Sequence, residues 1–166
     1  LDPKQFEPGR VGNTISRQKG EMVTAREYAE RTGHAYFPRI VADVWQTYEE
    51  LLKKEGALDF DDLLLKTALL LRDNEDVRKR YQTKWEYIHV DEYQDTNGVQ
   101  YKIAQILAEK HKNICVVGDT DQNIYSWRGA NLKNLMNFEK DYPDAKVVLL
   151  EENYRSTQTI LTAAND

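Results

Sequence analysis

The stretch "YIHVDEYQDTN" at residues 87–97 breaks from an apolar run into two adjacent carboxylates, Asp91 and Glu92. Neighbouring carboxylates at a strand end repel each other unless a cation or hydrogen-bond donors compensate them. A hard divalent ion such as magnesium suits them, since it takes one or two protein carboxylates and fills its shell with water and phosphate oxygens. Asp91 would then serve the metal. Glu92 would lie beside it, able to accept a proton from an attacking water. Read alone, the pair is described more plainly as a solvated strand end with helix-capping acids.

A second stretch, "GDTDQNIYSWRGA" at 118–130, is richer. Gly118 permits a tight turn, and Gln122 offers an uncharged amide that can orient a water or a γ-phosphate. Tyr125 and Trp127 sit beside Arg128. Aromatic faces beside a cation are what single-stranded nucleic acid binding uses, with stacking worth about 1–3 kcal/mol per base. Trp127 could equally be a core residue tethering the loop. In "EENYRSTQ" at 151–158, Tyr154 and Arg155 precede a helix expected to be capped by Ser156. Arginine grips phosphate bidentately and tyrosine stacks on bases; an ordinary ion pair between Arg155 and an acid is the alternative. His34, His89 and His111 share no metal-ligand spacing, and no GxxxxGK[ST] phosphate loop occurs.

The elements that must position these groups follow from periodicity. "YIHV", "NICVVG" and "AKVVLL" read as short strands buried on both faces. A helix with Val99, Ile103, Ile106 and Leu107 inward, capped by Asp95 or Thr96, separates the first two. Another around Leu132, Leu135, Met136 and Phe138 separates the second from the third. This alternation predicts a parallel sheet with right-handed crossovers. Ligands of such sheets bind beyond the carboxyl ends of the strands. Those ends carry Asp91-Glu92, Asp119 to Gln122, and Glu151 to Arg155, which together suit a metal and a polyanion.

Upstream the pattern is helical. Ile40, Val41, Val44, Trp45, Tyr48, Leu51 and Leu52 form one face of a helix with Pro38 in its first turn. A second helix lies in "LDFDDLLLKTALLL", with Phe60, Leu63, Leu64, Ala68 and Leu71 on one side, and a short third covers Asp76 to Gln82. Residues 1–36 are weakly patterned, apart from a short helix in "TAREYAERTG" closed by Gly33.

The totals set limits. The chain has 166 residues, 40% hydrophobic and 31% charged, with a net charge of −5, so it is a globular composition that advertises no nucleic-acid partner by charge alone. Cys115 is the only cysteine. It excludes an intrachain disulfide, is expected to be a small buried hydrophobe, and fits a reducing, cytoplasmic setting. "LLLKTALLL" falls short of a membrane span and carries Lys66, and no secretory signal opens the chain. It begins at Leu1 and stops inside a helical pattern, as expected of an excerpt from something larger.

Taken together, "HVDEYQDTN", "VVGDTDQNIYSWRGA" and "LEENYRST" resemble three ordered motifs of the UvrD/Rep/PcrA group of superfamily 1 DNA helicases. The likeness is tight over residues 57–164, helped by "LDFDDLLL", and looser before. It implies an α/β fold: a parallel-sheet, RecA-like (P-loop NTPase) half-domain with helices on both faces. Residues 57–166 would be the C-terminal part of that first motor domain, and residues 1–56 part of a helical inserted subdomain. It implies Asp91 as the magnesium acid and Glu92 as the base for ATP hydrolysis. Gln122 would sense the γ-phosphate, Tyr154 would pack on adenine, and Arg155 would be an arginine finger. Tyr125, Trp127 and Arg128 would face single-stranded DNA or its junction with duplex. The P-loop segment and the second motor domain would lie outside this chain, which alone would neither hydrolyse ATP nor unwind DNA. Movement would run 3′→5′. Three rivals stand beside this reading: the motor of a helicase–nuclease, a non-catalytic DNA-binding module that kept the loop aromatics, and a magnesium-dependent small-molecule phosphotransferase, for which Tyr125 to Arg128 would have no obvious purpose.

Overall fold

The computed structural model describes residues 6–126 and 129–165. Pro8 stands in the first turn of α1 (Pro8–Gly20), where a missing N–H is harmless. Val11 and Ile15 lie one turn apart and are buried, and the next position of that stripe is Lys19, also buried. That lysine interrupts the apolar periodicity, which is why residues 1–36 read as weakly patterned. α2 (Ala25–Arg31) opens on a capping box between Thr24 and Glu27 and is followed by Gly33 at φ 55°, a left-handed backbone that glycine adopts without strain. α3 (Tyr36–Lys54) buries Val41 and Trp45 completely. These two join Val11 and Ile15 in a core covered by Ala25, Tyr28, Phe37, Val44 and Tyr48.

α4 (Phe60–Asp73) is capped by Asp59 and α5 (Glu75–Lys84) by Asn74. The buried face of α4 differs from the expected one. Asp62, Leu65, Ala68 and Leu71 face inward, whereas Phe60 is 90% exposed and Leu63 is exposed. The reason is ionic. Lys19 Nζ, wholly buried, lies 2.9 Å from Asp62, 2.8 Å from Asp59 and 3.0 Å from Glu49, and this draws Asp62 into the interior. α1, α3 and α4 therefore meet around a charge cluster rather than a purely apolar seam.

β1 (Ile88–Val90), α6 (Gly98–Ala108) and β2 (Ile114–Val116) form a strand–helix–strand unit. The strands pair in parallel, with His89 opposite Cys115. Ile88, Val90, Ile114 and Val116 are half-buried, while His89 and Cys115 are exposed. This overturns the expectation of strands buried on both faces and of Cys115 as a buried hydrophobe. α6 packs against β1, and among the described residues nothing covers the face that carries Cys115. α6 is capped by Asn97, not by Asp95 or Thr96: Asn97 Oδ1 accepts the Gln100 N–H, and Gln100 Oε1 accepts the Asn97 N–H. Thr96 is unavailable because its hydroxyl donates to the Tyr93 carbonyl at 2.7 Å, and Asp95 belongs to a 3₁₀ turn spanning Tyr93–Asp95.

The expected third strand is also absent from the described residues. Residues 145–150 form no ladder, and Val147, Val148, Leu149 and Leu150 are all more than half exposed. A strand needs a neighbour for its N–H and C=O groups, and among the described residues β1 and β2 pair only with each other. The helix expected before that run is split into α7 (Lys133–Met136) and α8 (Phe138–Asp141), with Asn137 between them. α9 (Gln158–Asn165) starts two residues beyond Ser156. The result is a mixed α/β fold, mostly helical, with a small two-stranded parallel sheet. Among the described residues no helix is long and apolar enough to cross a membrane.

Candidate nucleotide-facing rim

Both strands release the chain at the same edge, and the acids and amides singled out in the sequence gather there. Backbone bonds carry the pairing past the strands, from Val117 N–H to the Val90 carbonyl and from Tyr93 N–H to the Val117 carbonyl, each 2.9 Å. Asp91 and Glu92 thus leave β1 directly beside Gly118 and Asp119 leaving β2. Glu92 turns the chain with φ 50° and ψ 43°, a left-handed backbone that costs a non-glycine residue about 1–3 kcal/mol and persists only where its surroundings fix it. Its N–H donates to Asp91 Oδ1 at 2.9 Å, and its Oε2 accepts from Gln94 Nε2 at 2.8 Å.

Gln94 is wholly buried and was missed in the sequence, where an amide among charged neighbours reads as a surface residue. Its Oε1 accepts the Asp119 N–H at 3.0 Å, and its own carbonyl accepts from Asn123 Nδ2 at 2.6 Å. Asp119 in turn accepts from Gln122 Nε2 at 2.7 Å and from the Asp121 N–H at 2.9 Å. Asp91, Glu92, Gln94, Asp119 and Gln122 are therefore one connected network. Gly118 is required by it: a Cβ there would stand 2.9 Å from Gln94 Oε1.

Each candidate metal acid keeps one oxygen in this network and leaves the other without a hydrogen bond among the described residues. No group of three or more His, Cys, Asp or Glu is clustered for an ion among those residues. Two carboxylates with open oxygens on an exposed rim fit magnesium, which retains water and takes its remaining ligands from phosphate.

The loop beyond Gln122 is anchored by Asn123 and closed by the Ala130 N–H donating to the Tyr125 carbonyl at 3.2 Å and by Gly129 at φ 85°. Tyr125 is partly exposed, and Trp127 and Arg128 lie outside the described residues. The turn after β1 is fixed to the following segment by Asn134, buried, whose Nδ2 donates to the Thr96 carbonyl at 3.0 Å, and by Tyr93, whose ring meets Phe138 edge-on at 5.9 Å. Burial holds the Tyr93 phenol well above the usual tyrosine range.

Tyr154 and Arg155 are not brought to this rim by any hydrogen bond or ion pair among the described residues. Tyr154 is 87% exposed and its hydroxyl donates to Glu152 at 3.3 Å; Asn153 Oδ1 accepts the N–H groups of Arg155 and Ser156. A cleft of about 710 Å³ lined by Arg72, Arg78, Lys102 and Asp141 shares no residue with the rim. Its arginines are committed elsewhere, Arg72 to Asp73 and Arg78 to two main-chain carbonyls.

The fold is that of a mixed α/β protein in which a two-stranded parallel edge ends in paired acids and is followed by an amide-bearing loop. Residues 1–143 match the family described as UvrD/REP helicase N-terminal domain, and the chain belongs to that family. It is 51% identical over its whole length to the ATP-dependent DNA helicase PcrA of Bacillus subtilis (strain 168), covering 22% of that protein. It is 52% identical over 165 residues to PcrA of Leuconostoc citreum, again covering 22%. Against PcrA of Staphylococcus aureus (strain Mu50 / ATCC 700699) the identity is 49% over 166 residues, covering 23%. The chain thus spans under a quarter of the length of these relatives.

Proposed function

We propose that this chain is a segment of an ATP-dependent DNA helicase that couples Mg-ATP hydrolysis to movement along single-stranded DNA and to duplex unwinding, 3′→5′, in repair or replication. The observation that carries the reading is the rim network, in which the ends of two parallel strands hold Asp91, Glu92, Asp119 and Gln122 together. The names of its PcrA relatives support it. Residues 57–166 would form part of a RecA-like motor domain and residues 1–56 part of a helical accessory subdomain.

In this reading Asp91 and Glu92 would hold a magnesium ion, which when bound would supply positive charge against the terminal phosphates of ATP. Glu92 receives the proton of the attacking water. Gln122 orients the γ-phosphate and stands at the start of the loop that meets DNA. Tyr125, Trp127 and Arg128 receive single-stranded DNA, ring on base and cation on phosphate. Tyr154 packs on adenine and Arg155 acts as the arginine finger, delivered to the rim when the remainder of the motor closes on ATP.

The test is steady-state ATPase with nucleotide binding in the full-length protein. Glu92→Gln is expected to keep ATP binding and to lose turnover by about 10²–10⁴-fold, the usual worth of a positioned base. A near-normal rate would remove that role. Trp127→Ala is expected to weaken DNA-stimulated hydrolysis more than DNA-free hydrolysis; equal loss of both would point to damaged folding instead.

A further inference from the structure

The rim contains one buried side chain to which the reading above gives no task. Gln94 is 0% exposed, yet its amide is fully oriented. The Asp119 main-chain N–H can only donate, so the amide oxygen must face it, and the NH₂ group must then face the Glu92 carboxylate. The side chain therefore bridges the strand end that carries the acids and the strand end that starts the 119–126 loop. The Gln94 carbonyl takes a third bond from Asn123, further along the same loop. No apolar residue of the same size could make any of these side-chain contacts, and burying an amide is unfavourable unless its bonds are made.

We propose that Gln94 is a positioning residue that holds the Glu92 carboxylate with its amide NH₂ and the loop base with its amide oxygen, so that displacement of the loop by DNA moves the group that receives the proton. This rests on Glu92 being that group. Glu92 sits in a left-handed turn with few other tethers, namely its N–H to Asp91 and its carbonyl to the Asp95 N–H. Gln94 is thus the only described side chain that donates a hydrogen bond to its carboxylate. Gly118 guards the arrangement from the other side, since any Cβ there would press on the amide oxygen.

The experiment measures kcat and KM for ATP in the full-length protein, with and without oligo-dT, for wild type, Gln94→Glu, Gly118→Ala and Glu92→Gln. Gln94→Glu keeps an acceptor for Asp119 but sets a second carboxylate against Glu92. Gly118→Ala keeps every hydrogen-bonding group and displaces the amide. Both are expected to lower DNA-stimulated kcat at least tenfold, toward the 10²-fold that a misplacement of about 1 Å brings. KM for ATP should stay within about twofold, and the ratio of stimulated to unstimulated rates should fall. If Gln94→Glu does not fold, as judged by circular dichroism, Gly118→Ala decides alone. Rates and stimulation near wild type in the folded variants, beside an inactive Glu92→Gln, would overturn the role of Gln94 and leave that of Glu92 standing. A fall in kcat with an unchanged stimulation ratio would also overturn it, as a packing role would do the same. Wild-type turnover in Glu92→Gln would overturn both readings together.

Discussion

Glu92 and Arg155 illustrate two ways of holding a reactive side chain. Glu92 occupies a backbone that few residues tolerate, tied down by the strand before it and the 3₁₀ turn after it. Arg155 is exposed, its guanidinium makes no hydrogen bond among the described residues, and only an Asn153-centred turn shapes its backbone. Such an arginine contributes little to stability and is available to a partner surface. Arg155→Ala is therefore expected to leave the melting temperature nearly unchanged while lowering ATP hydrolysis about 10³–10⁵-fold, the range for arginine fingers. An unchanged rate in the full-length protein would reduce it to a surface cation. Asp91 and Glu92 were legible in the sequence because charge directly after a β-branched run is chemically conspicuous. Gln94 was not, because nothing in "DEYQD" distinguishes an amide facing solvent from one enclosed by a second strand end some 25 residues later.

At the scale of elements, the join of α1, α3 and α4 is the least ordinary feature. Burial pushes the Lys19 ammonium down, but hydrogen bonds to Asp59, Asp62 and Glu49 outweigh this and hold it above the usual lysine range. Burial pushes Asp59 up, and its bonds to Lys19 and to the Asp62 N–H outweigh that, leaving it below the usual aspartate range. A depressed carboxylate contributes stability that is present above its unfolded pKa, about 3.9, and lost as pH falls through the lower folded value. A raised lysine contributes below its unfolded pKa, about 10.4, and loses that contribution only as pH rises through the folded one. Unfolding measured against pH should thus show this contribution intact from pH 5 to 9 and a loss of stability below about pH 4. Lys19→Met removes the buried cation shared by Asp59, Asp62 and Glu49, leaving the half-exposed Lys66 as the remaining partner of Asp62 at 3.0 Å, and is expected to cost about 3 kcal/mol, with a smaller acid loss because part of what acid removes is already gone. Urea denaturation across pH would show it; equal stability of variant and wild type would mean the cluster is not holding the helices. Periodicity located α3, α4 and α6 because most of their inward residues are apolar. It missed α1 and misaligned the face of α4 for a single reason: at Lys19 and Asp62 the inward residues are charged, and the two pair with each other across 43 positions of sequence.

For the molecule as a whole, the helices before and after residue 56 pack against one another. α1 contacts α3 but also α4 and α6, and Gly98, where α6 begins, comes so near the end of α1 that a Cβ there would lie 3.2 Å from the Gly20 carbonyl. The parallel pairing of β1 with β2 was legible from the alternation of strand and helix. The third strand was not obtained, because composition marks a segment as strand-forming while pairing depends on what lies beside it. That unpaired segment has a practical side. "VVLL" at 147–150 is aliphatic, contains no proline, belongs to no helix or strand and is largely solvent-exposed, with Lys146 before it and Glu151 and Glu152 after it as charged guards. Purified as residues 1–166, the protein is expected to self-associate with rising concentration, and Val148→Lys to raise the monomer fraction in light scattering. A monodisperse wild-type sample would argue against this. Solubility of this polypeptide, and the shelf life of any sample made from it, would then hang on four side chains remote from the strand-end network.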